Sequence, residues 1–123
     1  MSELLKSFIA GQWLLPDPAN GVFEAINPAT EEVAARVAVC GPPEAEAAVL
    51  AARAAFAGWS TTPLEQRLVL IERLIAVFER RYDEMVVAIS TEMGAPHDLS
   101  RNSQAECGPG HLRETVKAAR ALE

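Results

Sequence analysis

Cys107 and His111 stand four residues apart in AECGPGHL, with Glu106 directly before the thiol. A cysteine attacks as its thiolate, and at helical spacing an imidazole four residues on could take the proton, so this cluster could carry nucleophilic catalysis. The intervening Gly108-Pro109-Gly110 interrupts that spacing, because proline lacks the N–H of a helix interior and clashes with the preceding turn. A small apolar residue beside a surface histidine is the reading this context favours, and no catalytic residue is assigned. Cys40 closes a valine-rich run and precedes a turn, where a buried structural thiol is the ordinary expectation. His97, directly after Pro96, reads as a solvated or capping residue at a helix start.

The composition narrows what these residues can serve. A chain of 123 residues is one domain or part of one, and a compact domain of that size buries somewhat over about 60% of its unfolded surface. Half of the residues are hydrophobic, yet much of that half is alanine and only 6% of the chain is aromatic, which points to a thin core. Seventeen acidic residues against eleven Lys and Arg give a net charge of −6, with no basic stripe to hold a phosphate backbone. Nucleic acid is therefore not an expected partner. The two cysteines lie far apart without a CxxC or a histidine-rich neighbourhood, which fits neither a disulfide framework nor a zinc site and makes a reducing cytoplasm the default. The apolar run from Leu4 to Leu15 is broken by Lys6, Ser7, Gly11 and Gln12, so it reads neither as a signal peptide nor as a membrane span.

The elements that would position any site follow from turn and helix signals. Phe8–Leu14 and Val22–Ile26 flank the turn formers Pro16, Asp17, Pro18, Asn20 and Gly21 and read as a hairpin with a longer loop. Glu32–Cys40 is a third strand, ended by Gly41-Pro42-Pro43, so about 8–40 should form small antiparallel strands. From about 43 onward three to four helices are expected, which makes the fold class α+β. The first would run from Pro43 to Gly58 and pack through Ala45, Val49, Ala52 and Phe56, sandwiched between other elements. Thr62, Pro63 and Glu65 form a cap, first-turn proline and capping box for the second. Its apolar face is Leu64, Leu68, Ile71, Ile75, Phe78 and Tyr82. Met85, Val86, Ile89 and Met93 continue the periodicity to Gly94, a C-terminal cap, with Pro96 preventing extension. Beyond Asp98 the pattern weakens, and Gly108-Pro109-Gly110 predicts a break or kink in the last helix.

The chain ends at Glu123 inside the helical run TVKAARALE, without a cap, as a truncated segment would. One functional reading follows from physics alone. A face of Leu64, Leu68, Ile71, Ile75 and Phe78 left uncovered would exceed the apolar patches usual on monomers, so the chain could be a helical interaction or self-associating module without catalysis.

A second reading rests on resemblance. FIAGQW at Phe8–Trp13, FEAINPATEEVAARV at Phe23–Val37, AAVLAARAAFAGW at Ala47–Trp59, PLEQRLVLIERLIAVFERR at Pro63–Arg81 and STEMGAP at Ser90–Pro96 resemble, in that order, the opening of an NAD(P)-dependent aldehyde dehydrogenase. The resemblance implies a parent α/β enzyme with a Rossmann-like cofactor domain that oxidises aldehydes to carboxylic acids with NAD or NADP. Residues 1–123 would be the N-terminal segment of its cofactor-domain region, non-catalytic and without bound cofactor alone, its partner being the remainder of the enzyme. The nucleophilic cysteine, glutamate base and cofactor glycine turn of the family match no residue here. Family members often hold a monovalent cation near the loop corresponding to AINPAT. The resemblance places its ligands at the carbonyl of Ala25 or Ile26 and the carboxylate of Glu92, with a further carbonyl from outside these residues.

Overall fold

In the β-rich first half, turn chemistry decides where the strands begin. The computed structural model describes residues 4–122, which divide into two units between Thr61 and Thr62. In the first unit, Ala10 and Gly11 adopt positive φ of 53° and 80°, the two-residue turn whose twist suits a tight hairpin. The single strand expected over Phe8–Leu14 is therefore two: β1 is Leu4–Leu5, β2 Ser7–Ile9 and β3 Gln12–Leu14, with β2 and β3 antiparallel. Phe8 faces Trp13 across this hairpin, their ring centroids 5.0 Å apart.

β4 (Val22–Ile26) pairs antiparallel with β5 (Val33–Ala38). Glu24 and Arg36 lie opposite each other and form an ion pair at 3.2 Å. The three-stranded sheet runs β1-β5-β4, and β1 lies parallel to β5, which corrects the expectation of purely antiparallel strands. That pairing is long-range, and no turn signal announces it. Between β4 and β5 the Asn27 side chain accepts the Ala29 N–H at 2.9 Å, an Asx turn that accounts for Asn27-Pro28.

Helix α1 (Pro42–Trp59) starts where the double proline permits. Its expected packing face is open: none of its residues is buried, and Val49 and Phe56 are 65% and 66% exposed. Ala38 and Pro16 are the buried residues among those described in this unit.

The second unit is helical: α2 (Leu64–Arg80), α3 (Tyr82–Met93), a short α4 (His97–Leu99), a π-turn over Ser100–Gln104, and α5 (Ala105–Ala121). Pro63 stands at the N-cap of α2, and Gly94 ends α3 in the left-handed region at φ 63°. Arg81 alone separates α2 from α3. Leu68 (2% exposed), Ile75, Val86, Ala105, Pro109 and Val116 form a core that α2, α3 and α5 share.

Two expectations are corrected here. The face of Leu64, Leu68, Ile71, Ile75 and Phe78 is not left wholly open, because Leu68 and Ile75 are buried within the chain and α5 of the same unit packs on α2. The break expected at Gly108-Pro109-Gly110 is absent, since α5 continues through Pro109. The reason is packing. Pro109 is fully buried, and a Cβ added to Gly108 would stand 3.0 Å from the Phe78 ring, so glycine is what lets α5 approach α2 there. The irregularity sits one turn earlier, in the π-turn, where the wholly buried Ser100 hydroxyl is held between Ser90 and Gln104 at 3.0 and 3.2 Å.

Arginines tie the helices together at the surface. Arg120 bridges Glu65 and Glu72, and Arg113 bridges Glu79 and Glu106. The Arg120 guanidinium, through its hydrogen bonds and charge, holds the Glu65 carboxyl below the usual glutamate range.

Candidate functional site

The continuous α5 restores the helical spacing of Cys107 and His111, yet their polar partners lie elsewhere. The Cys107 thiol is exposed and donates to the Ser103 carbonyl at 3.3 Å, as side chains on a helix commonly do toward the preceding turn. Glu106 is engaged by Arg113 at 2.8 Å. His111 is exposed and lends its backbone carbonyl to Thr115. Nothing in this geometry gives the thiol a base.

Cys40, expected to be buried, is exposed, its sulfur 3.0 Å from the Ser7 hydroxyl. The strand it was assigned to ends at Ala38, so Cys40 falls in the linker before α1 rather than in the pleat. His97 begins α4 and is exposed, as its sequence context suggests.

The residues assigned to a cation by resemblance lie in separate units. Ile26 is the last residue of β4, next to a register shift at Ala25/Ile26, and the loop after it turns on Asn27. Glu92 is exposed in the last turn of α3, two residues before the Gly94 cap. Among the described residues, no three His, Cys, Asp or Glu side chains gather in a way that could hold a metal ion.

A dinucleotide needs a strand, a tight turn and a helix whose first N–H groups are free to meet phosphate. No such unit is legible in the sequence, but β5 does lead through Gly41 into α1. The residues there do not fit the ligand. Pro42 and Pro43 remove two of the first donors, and the Glu44 carboxylate accepts the Gly41 N–H at 2.7 Å, so an anion would meet a carboxylate where it needs amides. The Asn20 amide reaches the same Glu44 oxygen at 3.5 Å.

One feature of the second unit escaped the sequence reading. A groove of about 400 Å³ runs along the α2–α3 elbow, lined by Leu74, Val77, Phe78, Met85 and Ala88, with Arg81 and Glu84 at its edge. Arg81 and Glu84 pair at 2.8 Å, and each draws the other toward its charged form by that hydrogen bond: the glutamate lowered, the arginine raised. The groove offers apolar surface and one neutralised ion pair, which suits packing rather than chemistry. Its signal was present as Leu70, Leu74 and Val77, a second apolar stripe at helical spacing beside the one read from Leu68. Among the described residues no helix is long and apolar enough to cross a membrane.

Known proteins supply what the side chains do not. The model of the aldehyde dehydrogenase family matches residues 13–123. A 3-succinoylsemialdehyde-pyridine dehydrogenase of a Pseudomonas species is 42% identical over 113 residues, a match covering 91% of this chain and 24% of that protein. Among solved structures, an aldehyde dehydrogenase from Bartonella henselae superposes with a TM-score of 0.94 at 34% identity, over 100% of this chain and 26% of its own. An aldehyde dehydrogenase of Pseudomonas syringae, solved with NAD+ and octanal, superposes with a TM-score of 0.88 at 39% identity, over 94% of this chain and 24% of its own. The chain thus spans about a quarter of the length of the relatives it matches. With the family model matching residues 13–123 and a solved member superposing over the whole length, the chain belongs to the aldehyde dehydrogenase family, corresponding to its N-terminal portion.

Proposed function

We propose that the protein to which this chain contributes oxidises aldehydes to carboxylic acids with NAD or NADP as the hydride acceptor. Residues 1–123 serve it as a non-catalytic scaffold within the cofactor-domain region. The observation that carries this reading is the family match over residues 13–123 combined with a TM-score of 0.94 to a solved aldehyde dehydrogenase. The non-catalytic role is supported by the chemistry of the residues present. The Cys107 thiol donates a hydrogen bond to the Ser103 carbonyl, and the α1 N-terminus carries the Glu44 carboxylate, which would repel an anion. The partner in this reading is the remainder of the dehydrogenase. The exposed Leu74 and Val77 groove and the open apolar residues of α1 support that, whereas the Leu68 face does not. Two free thiols accord with a reducing cytoplasm.

The test is direct. The polypeptide read from the whole open reading frame and residues 1–123 alone are each mixed with an aldehyde panel and NAD+ or NADP+, and the absorbance of reduced nicotinamide is followed. Aldehyde-dependent reduction by the longer polypeptide only is the expected result. Turnover by residues 1–123 would overturn the scaffold role, and inactivity of a folded longer polypeptide on every aldehyde would overturn the activity.

The monovalent-cation role of the Ile26 carbonyl and Glu92 is a proposal carried by the resemblance alone. Potassium should raise the melting temperature above that in choline at equal ionic strength, and Glu92→Gln should abolish the difference. Identical melting in both salts would remove the assignment.

A further inference from the structure

No further inference is drawn: the strongest candidate, the apolar groove at the α2–α3 elbow lined by Leu74, Val77, Phe78 and Met85 with the Arg81–Glu84 pair at its edge, is an unpartnered face, and nothing in the structure shows what covers it.

Discussion

The unit of residues 62–123 buries a core between its own helices, whereas the unit of residues 1–61, no poorer in apolar side chains, leaves most of them open. In the helical unit, Leu68, Ile75, Val86 and Val116 are buried where α2, α3 and α5 meet. In the strand-rich unit, Phe8 and Trp13 are 58% and 69% exposed, and α1 has no buried residue at all. The difference is one of geometry. Helices whose apolar stripes face one another can close on each other, while a three-stranded sheet, a hairpin and one alanine-rich helix present faces that no described residue of that unit covers. Apolar content therefore does not measure a core. What counts is whether the elements that carry it meet.

Native-state hydrogen exchange offers the sharpest way to break this comparison. Amides of α2, α3 and α5 should exchange through global opening, while those of α1 and the β2–β3 hairpin exchange through local opening, several orders of magnitude faster. Equal protection in the two units would show that residues 1–61 possess a core the burial pattern does not reveal.

Side-chain truncation comes next in size. Leu68→Ala should cost about 2–5 kcal/mol in urea denaturation, because it leaves a cavity under α5. Val49→Ala, on the open face of α1, should stay within about 0.5 kcal/mol. Comparable losses from the two substitutions would remove the distinction between the units.

A smaller effect tests why CGPG is tolerated. Gly108→Ala should gain about 0.5–1 kcal/mol from helix propensity, but lose about 1–3 kcal/mol by driving a methyl into the Phe78 ring. The balance is destabilising. In a Phe78→Leu background the same alanine should turn neutral or stabilising. Stabilisation in the native background would mean that the ring yields and that glycine is not needed for the α2–α5 approach.

The smallest effect expected is electrostatic. The Glu65 carboxyl is lowered in the folded chain by Arg120, so its contribution to stability is fully present above the ordinary glutamate value of 4.5 and is lost as pH falls through the folded value. Raising of the Arg120 guanidinium matters only at strongly alkaline pH. Melting of the helical unit should thus fall more steeply below that value in the parent than in Glu65→Gln, and the difference should shrink in high salt, since both groups are exposed. Parallel acid limbs would show that this ion pair contributes nothing.

Much of the helical unit was legible because its signals are local. Pro63 at the start of α2, Gly94 at the end of α3 and the period of Leu64, Leu68, Ile71 and Ile75 each act within a turn or two. The strands were less legible. Ala10-Gly11 carries no turn signature, since alanine rarely adopts positive φ, so the run Phe8–Leu14 reads as one strand. The site residues fared unevenly. Cys107, His111 and His97 proved as exposed as their surroundings suggested, while Cys40 was misjudged because the strand before it is two residues shorter at that end than its valines implied.

By itself the sequence determined the α+β class, the starts of α1 and α2, the Gly94 end of α3 and the family, all of which rest on short-range signals or on the order of motifs along the chain. Tertiary structure alone decided which stripe of α2 is covered. Leu64, Leu68, Ile71 and Ile75 and the neighbouring Leu70, Leu74 and Val77 both satisfy helical spacing, and only the docking of α5 separates them. The same docking carries α5 straight through Pro109, because burial of the ring and the close approach of Gly108 to Phe78 outweigh the lost hydrogen bond. The parallel pairing of β1 with β5 belongs here too. Contacts between residues distant in sequence are set by the shapes that meet, and periodicity along the chain carries no record of them.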